Sequence, residues 1–148
     1  HGRLSRKVGV CLSTLGPGAT NLMTGVADAN LDHAPLVAIS GQVSTGRKHA
    51  QSHQYIDLQA LFKPITKWNG VLATPAMIPE AVRKAFKTAE TEKPGAIHLE
   101  VPEDVAAERL RESDVLPPLR VQSPHAPEPS SAQVKRAVAR AGRSDIRL

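Results

Sequence analysis

The stretch Val8-Gly-Val-Cys-Leu-Ser-Thr-Leu-Gly-Pro-Gly-Ala-Thr-Asn-Leu22 constrains this chain more than any other. It predicts a buried strand, a tight turn and the start of a helix. Val8, Val10 and Leu12 are apolar and β-prone, and Cys11 is of a type usually found inside, so the run suits a strand covered on both faces. Gly16-Pro17-Gly18 ends it: the two glycines permit backbone angles and close approaches that a Cβ would block, and Pro17 fixes one dihedral. From Ala19, Thr20 and Asn21 onward a helical pattern begins, with first-turn amides to be satisfied. Strand, glycine turn and helix N-terminus together form a ligand-binding edge in an open α/β sheet, or simply a well-made turn, and short glycine motifs do not separate the two.

The 148 residues suffice for one domain with its own core. Aromatic residues make up 3% of the chain, so that core must be built from Val, Leu, Ile and Ala. No apolar run approaches the roughly 20 residues that cross a bilayer, and Arg3, Arg6 and Lys7 lead into a strand rather than into the apolar core of a signal peptide. A single cysteine excludes an internal disulfide and fits a reducing, cytoplasmic setting. The net charge of +5 suggests nucleic acid until it is located: Lys135, Arg136, Arg140, Arg143 and Arg147 against Asp145 put +4 on residues 133–148 and +1 on the rest. That basic tail lacks stacking aromatics and reads as a solvated helix face or linker.

In chain order, a strand over 8–14, a helix over 18–32 stopped before Pro35, and a strand over Leu36–Ile39 make a βαβ unit. Gln42 to Ala60 is polar and weakly periodic, the kind of long loop on a rigid scaffold where function tends to sit. His49, His53 and Asp57 share an i, i+4 row, but no fourth metal ligand is evident and a polar loop is the better reading, with no metal assigned. A helical turn over Leu58–Phe62 and a weak strand at Val71–Ala73 follow. Ile78, Val82, Phe86 and Ala89 then line one face of an amphipathic helix beginning near Pro79. Ala96–Val101 alternates as a strand should. These elements predict an α/β fold, a doubly wound, mainly parallel sheet with helices on both faces. Residues 1–115 form the domain, 116–131 a linker rich in proline, and 132–148 the start of something further, opened by a helix from Ala132 to about Ala141.

The motifs GPGATN, the GQV strand end, PITK and the closing PG…PEDV occur in one order along Gly9–Val43, His53–Trp68 and Ile78–Val105. In this the chain resembles the pyrimidine-binding, N-terminal domain of thiamine-diphosphate-dependent enzymes, specifically acetolactate synthase large subunits, over nearly all of residues 3–105. The resemblance implies that the turn meets the cofactor's aminopyrimidine, with diphosphate and Mg2+ held by a separate domain of a partner subunit. Gly16, Pro17, Gly18, Asn21 and Gln54 are the cofactor-binding residues it implies. Gln54 matches a glutamine directed at the reactive carbon and the substrate, where an amide stabilises developing charge without adding its own.

The implied activity is decarboxylation of pyruvate and addition of the two-carbon unit to a second 2-oxo acid, giving acetolactate for branched-chain amino acid or acetoin formation. That chemistry needs a glutamate against the pyrimidine, which in the family precedes the GPGATN strand. No carboxylate here takes that place, so the chain is expected to be a fragment, inactive alone. The implied assembly is a homodimer or homotetramer sharing its sites, with a regulatory small subunit as a further partner and neither nucleic acid nor membrane. His53-Gln54-Tyr55 replaces the Phe-Gln-Glu usual in biosynthetic members and is closer to catabolic ones. Lys93 stands where an arginine associated with FAD contact is usual, and its loss of the planar fork makes FAD doubtful. Alternatives are a relative of the pyruvate oxidase, glyoxylate carboligase or sulfoacetaldehyde acetyltransferase type, or a non-catalytic module keeping the fold.

Overall fold

Residues 8–22 open a four-stranded parallel sheet in the computed structural model, which describes residues 1–49, 51–111, 115 and 128–141. A single turn of helix, α1 (Gly2–Ser5), leads into β1 (Gly9–Ser13), α2 (Pro17–Leu31) and β2 (Leu36–Gln42). The short α3 (Leu58–Phe62), β3 (Trp68–Val71), α4 (Ile78–Glu90), β4 (Ala96–Pro102), α5 (Glu103–Ala107) and α6 (Ser131–Ala141) follow. The sheet order is β1-β2-β4-β3, with Ala38 opposite His98 and Ser40 opposite Glu100 on the two central strands.

Strand alternation sends neighbouring side chains to opposite faces, and each face has its own cover. On one, α2 and α3 bring Ala19, Val26, Leu58 and Phe62 onto Ala38 and Ala96. On the other, Ala85 and Ala89 of α4, with Ile78, Val82 and Phe86 beside them, pack on Val37, Ile97 and Leu99. The amphipathic stripe expected of residues 78–89 is therefore core. Leu58 and Phe62 are fully buried, each removing apolar surface worth about 1.5–3 kcal/mol. Helices lie on both faces of a parallel sheet, the α/β architecture expected from the sequence.

Besides the weak strand expected at Val71–Ala73, which lies earlier as Trp68–Val71, two expectations change. The strand over β1 is not covered on both faces: Val10 and Leu12 are 56% and 73% exposed, while Cys11, pointing to the α2 side, is half-buried. The reason is position: β1 has one strand neighbour among the described residues, and α4 packs over β2, β3 and β4. Second, β2 does not stop at Ile39. Its ladder with β4 continues to Gln42 opposite Pro102, so Ser40, Gly41 and Gln42 are strand.

Beyond the sheet, Ser130 and Gln133 cap α6 reciprocally: the Ser130 N–H donates to Gln133 Oε1 at 2.8 Å and the Gln133 N–H to Ser130 Oγ at 3.3 Å. Of the expected linker, Pro117, Pro118, Pro124 and Pro127 lie outside the described residues, as does the tail from Gly142 to Leu148.

Candidate functional site

The turn after β1 is built around Gly16. It is buried, caps α2 with φ +54°, and any Cβ there would sit 2.5 Å from the Gln54 carbonyl oxygen and 2.7 Å from Gln54 Cβ. Only glycine fits both the angle and the space. Pro17 occupies the first helical position and Asn21 follows one turn on, both exposed. The structure thus brings together residues far apart in sequence: Gly16, carrying Pro17 and Asn21, touches Gln54. Gly18 is close-packed too, since a Cβ there would meet Thr14 Cγ2 at 2.5 Å.

This helix end is poorly suited to a phosphate. Of the four amides Gly16 to Ala19, Pro17 has no N–H and the Gly18 N–H donates to the Leu15 carbonyl at 3.2 Å. Half the cradle is spent. Pro17, Asn21 and Gln54 offer a proline ring and two carboxamides, all exposed and all neutral. Such a set suits an uncharged, hydrogen-bonding heterocycle, and it fits an aminopyrimidine better than an anion.

Gln54 itself lies in the left-handed region, φ +59°, at the end of a loop pinned at several points. At its start the Thr45 N–H donates to both Asp104 carboxylate oxygens at 3.1 Å, and Thr45 Oγ1 donates to the same group. In the middle, Lys48 Nζ lies 2.7 Å from Glu100 Oε1, while Gln59 Nε2 donates to Glu100 Oε2 at 3.3 Å. Further along, Ser52 Oγ donates to the Arg47 carbonyl at 3.0 Å and the Tyr55 N–H to the Ser52 carbonyl at 3.1 Å. At the end, Gln42 Nε2 donates to the Ile56 carbonyl at 3.0 Å, with Gln42 Oε1 accepting from the Val43 N–H.

Those anchors belong to a feature the sequence concealed. Along the α3 face the central strands turn from apolar to polar toward their C-terminal ends, as Ala38-Ser40-Gln42 and Ala96-His98-Glu100. All four polar residues are buried, none more than 2% exposed. His98 stacks on Phe62 with ring centroids 3.8 Å apart and planes 7° from parallel, and its Nε2 is 2.7 Å from Ser40 Oγ. Its Nδ1 has no partner among the described residues. Desolvation by burial lowers the His98 pKa from 6.5 to about 4, so the ring stays neutral. α3 covers both residues of this strand face, Phe62 lying on His98 and Gln59 on Glu100.

Other polar residues of the region have local duties. Asp57 caps α3, accepting from the Ala60 N–H at 3.0 Å. His49 and His53 are exposed, and no group of three or more His, Cys, Asp or Glu among the described residues is placed to hold a metal. Lys67 donates to the Thr88 and Thr91 carbonyls at 2.5 and 2.8 Å, closing the C-terminal end of α4, and desolvation lowers its pKa despite Glu92 nearby. Burial pushes the Cys11 thiol up, away from reactivity. A cleft of about 650 Å³ at the strand ends is lined by Leu12, Thr14, Leu15, Gly41, Gln42 and Val101 among others, and Gly16, Pro17, Asn21 and Gln54 do not line it.

Residues 1–61 match the family described as thiamine pyrophosphate enzyme, N-terminal TPP binding domain. A probable acetolactate synthase large subunit of Methanococcus aeolicus is 49% identical over 105 residues, covering 71% of this chain and 18% of that protein. The acetolactate synthase large subunit of Corynebacterium glutamicum is 39% identical over 141 residues, 93% of this chain and 22% of its own length. The mitochondrial acetolactate synthase of Schizosaccharomyces pombe is 39% identical over 112 residues, 76% of this chain and 17% of its own. The chain spans about a fifth of the length of these curated relatives.

Proposed function

We propose that the chain, whose residues 1–61 match the N-terminal TPP binding domain of thiamine pyrophosphate enzymes, supplies the pyrimidine-facing half of an acetolactate synthase-type carboligase site. The observation that carries this reading is the contact of Gly16 with Gln54, which gathers Pro17, Asn21 and Gln54 at one edge without a charged group among them. Pro17 and Asn21 would hold the aminopyrimidine, the ring by apolar contact and the amide by hydrogen bonding. When bound, thiamine diphosphate supplies the carbon nucleophile that 2-oxo acid decarboxylation requires. Gln54 orients the substrate and donates a neutral hydrogen bond to oxygen as charge develops there, a contribution that grows as water is excluded.

Mg2+ and the diphosphate belong, in this reading, to a partner subunit's domain, so the working unit is a cytoplasmic homodimer or homotetramer, open to a regulatory small subunit. The carboxylates Glu100, Glu103 and Asp104 are held by Lys48, Ser44 and Thr45 respectively. With these engaged and no carboxylate at the turn among the described residues, the 148-residue chain alone is expected to form no acetolactate. Lys93 in place of a forked arginine leaves FAD doubtful as a cofactor.

The test is steady-state assay of the full-length protein containing this segment, with pyruvate or glyoxylate, with and without thiamine diphosphate and Mg2+. Acetolactate from pyruvate, dependent on both additions and lowered at least tenfold by Gln54→Ala, is expected. Turnover of glyoxylate without acetolactate would assign a different carboligase, and no turnover of either would assign a non-catalytic module.

A further inference from the structure

The buried ion pair beneath the Gln54 loop has no part in the chemistry proposed above. Glu100 is 2% exposed, and both of its carboxylate oxygens are engaged, one by Lys48 at 2.7 Å and the other by Gln59 at 3.3 Å. A charge taken that far from water is retained only with a partner, and removing that partner is strongly unfavourable. The partner comes from the loop. Lys48, its side chain 27% exposed, is the cation that reaches inward from the polar segment between β2 and α3.

Gln54 needs such restraint. It sits in a sparsely populated backbone region, φ +59°, which a non-glycine residue keeps when surrounding contacts over-determine it. The loop's ends are tied by Thr45 to Asp104 and by Gln42 to Ile56, and Ser52 links back to Arg47. Between those ties, Lys48–Glu100 joins the loop's middle to a central strand. We propose that Lys48 and Glu100 are positioning residues, a charged clamp that holds the 43–57 loop against the scaffold so that Gln54 stays on the Gly16 turn. The inference rests on the carboligase reading for what Gln54 does there, and on geometry alone for the clamp.

The test uses the full-length protein containing this segment, with two readouts. Hydrogen exchange of amides in residues 44–57 should quicken about tenfold or more in Lys48→Met while α4 stays protected, and Lys48→Arg should restore protection. In acetolactate formation, Lys48→Met should lower kcat about tenfold with KM for pyruvate little changed, and should add less than about twofold in a Gln54→Ala background. If Lys48→Met opens the whole domain, seen as exchange in α4, the isosteric, uncharged Glu100→Gln carries both measurements. Unchanged exchange in the loop, or losses that multiply in the double variant, would overturn the clamp. A silent Gln54→Ala in an active enzyme refutes the role of Gln54 instead, and exchange then decides the clamp by itself.

Discussion

Acidification should destabilise this domain through one histidine. His98 is fully buried, stacked on Phe62, bonded at Nε2 to Ser40 and, among the described residues, unpartnered at Nδ1, with its pKa lowered from 6.5 to about 4 by desolvation. The unfolded chain therefore takes up a proton on this ring near pH 6.5, and the folded one only near pH 4. A depressed native pKa means a contribution fully present above pH 6.5 and lost as the pH falls toward 4. Over that interval the linkage amounts to about 2 kcal/mol by pH 5 and about 3 kcal/mol by pH 4, a large share of an ordinary domain's stability. Urea denaturation at pH 7.5 and 5.0 measures it, with His98→Leu as the reference. The other five histidines are common to both proteins and cancel in the difference. The wild-type chain should lose about 2 kcal/mol more than His98→Leu between the two conditions. Equal losses would show that His98 is not buried uncharged, and that the α3 face is open to water there.

Other substitutions probe the remaining parts. Gly16→Ala places a methyl 2.5 Å from the Gln54 carbonyl at φ +54°, and should cost about 1–3 kcal/mol in a denaturation midpoint while displacing Gln54. Phe62→Ala empties the centre of the α2–α3 core and unstacks His98; a loss of about 3–5 kcal/mol by calorimetry or urea is expected. Asp57→Ala removes the cap of a five-residue helix and should cost about 1 kcal/mol, while Asp57→Asn, which keeps an acceptor, should cost a few tenths of that. Were Asp57 instead a metal ligand with His49 and His53, added Zn2+ would raise the melting temperature of the wild-type chain and not of Asp57→Asn.

Local chemistry determined much of this protein. The period of Ile78, Val82, Phe86 and Ala89 suffices for α4, and proline and glycine mark the ends of α2 and α4, because these signals depend on near neighbours in the chain. The Gly-Pro-Gly turn was legible as a strand-to-helix junction for the same reason, and its wider resemblance pointed to Pro17, Asn21 and Gln54. Tertiary structure decided the rest, since burial depends on which element arrives from elsewhere. Val10 and Leu12 look like interior residues, yet β1 is an edge among the described residues; His98 and Glu100 are polar, yet they are buried with α3 over them. Lys48 and Glu100 stand 52 positions apart and carry no mutual signal in sequence. The turn is recognisable from its own residues, but it must begin with Gly16 because Gln54, brought in from elsewhere in the chain, lies against it and leaves no room for a Cβ.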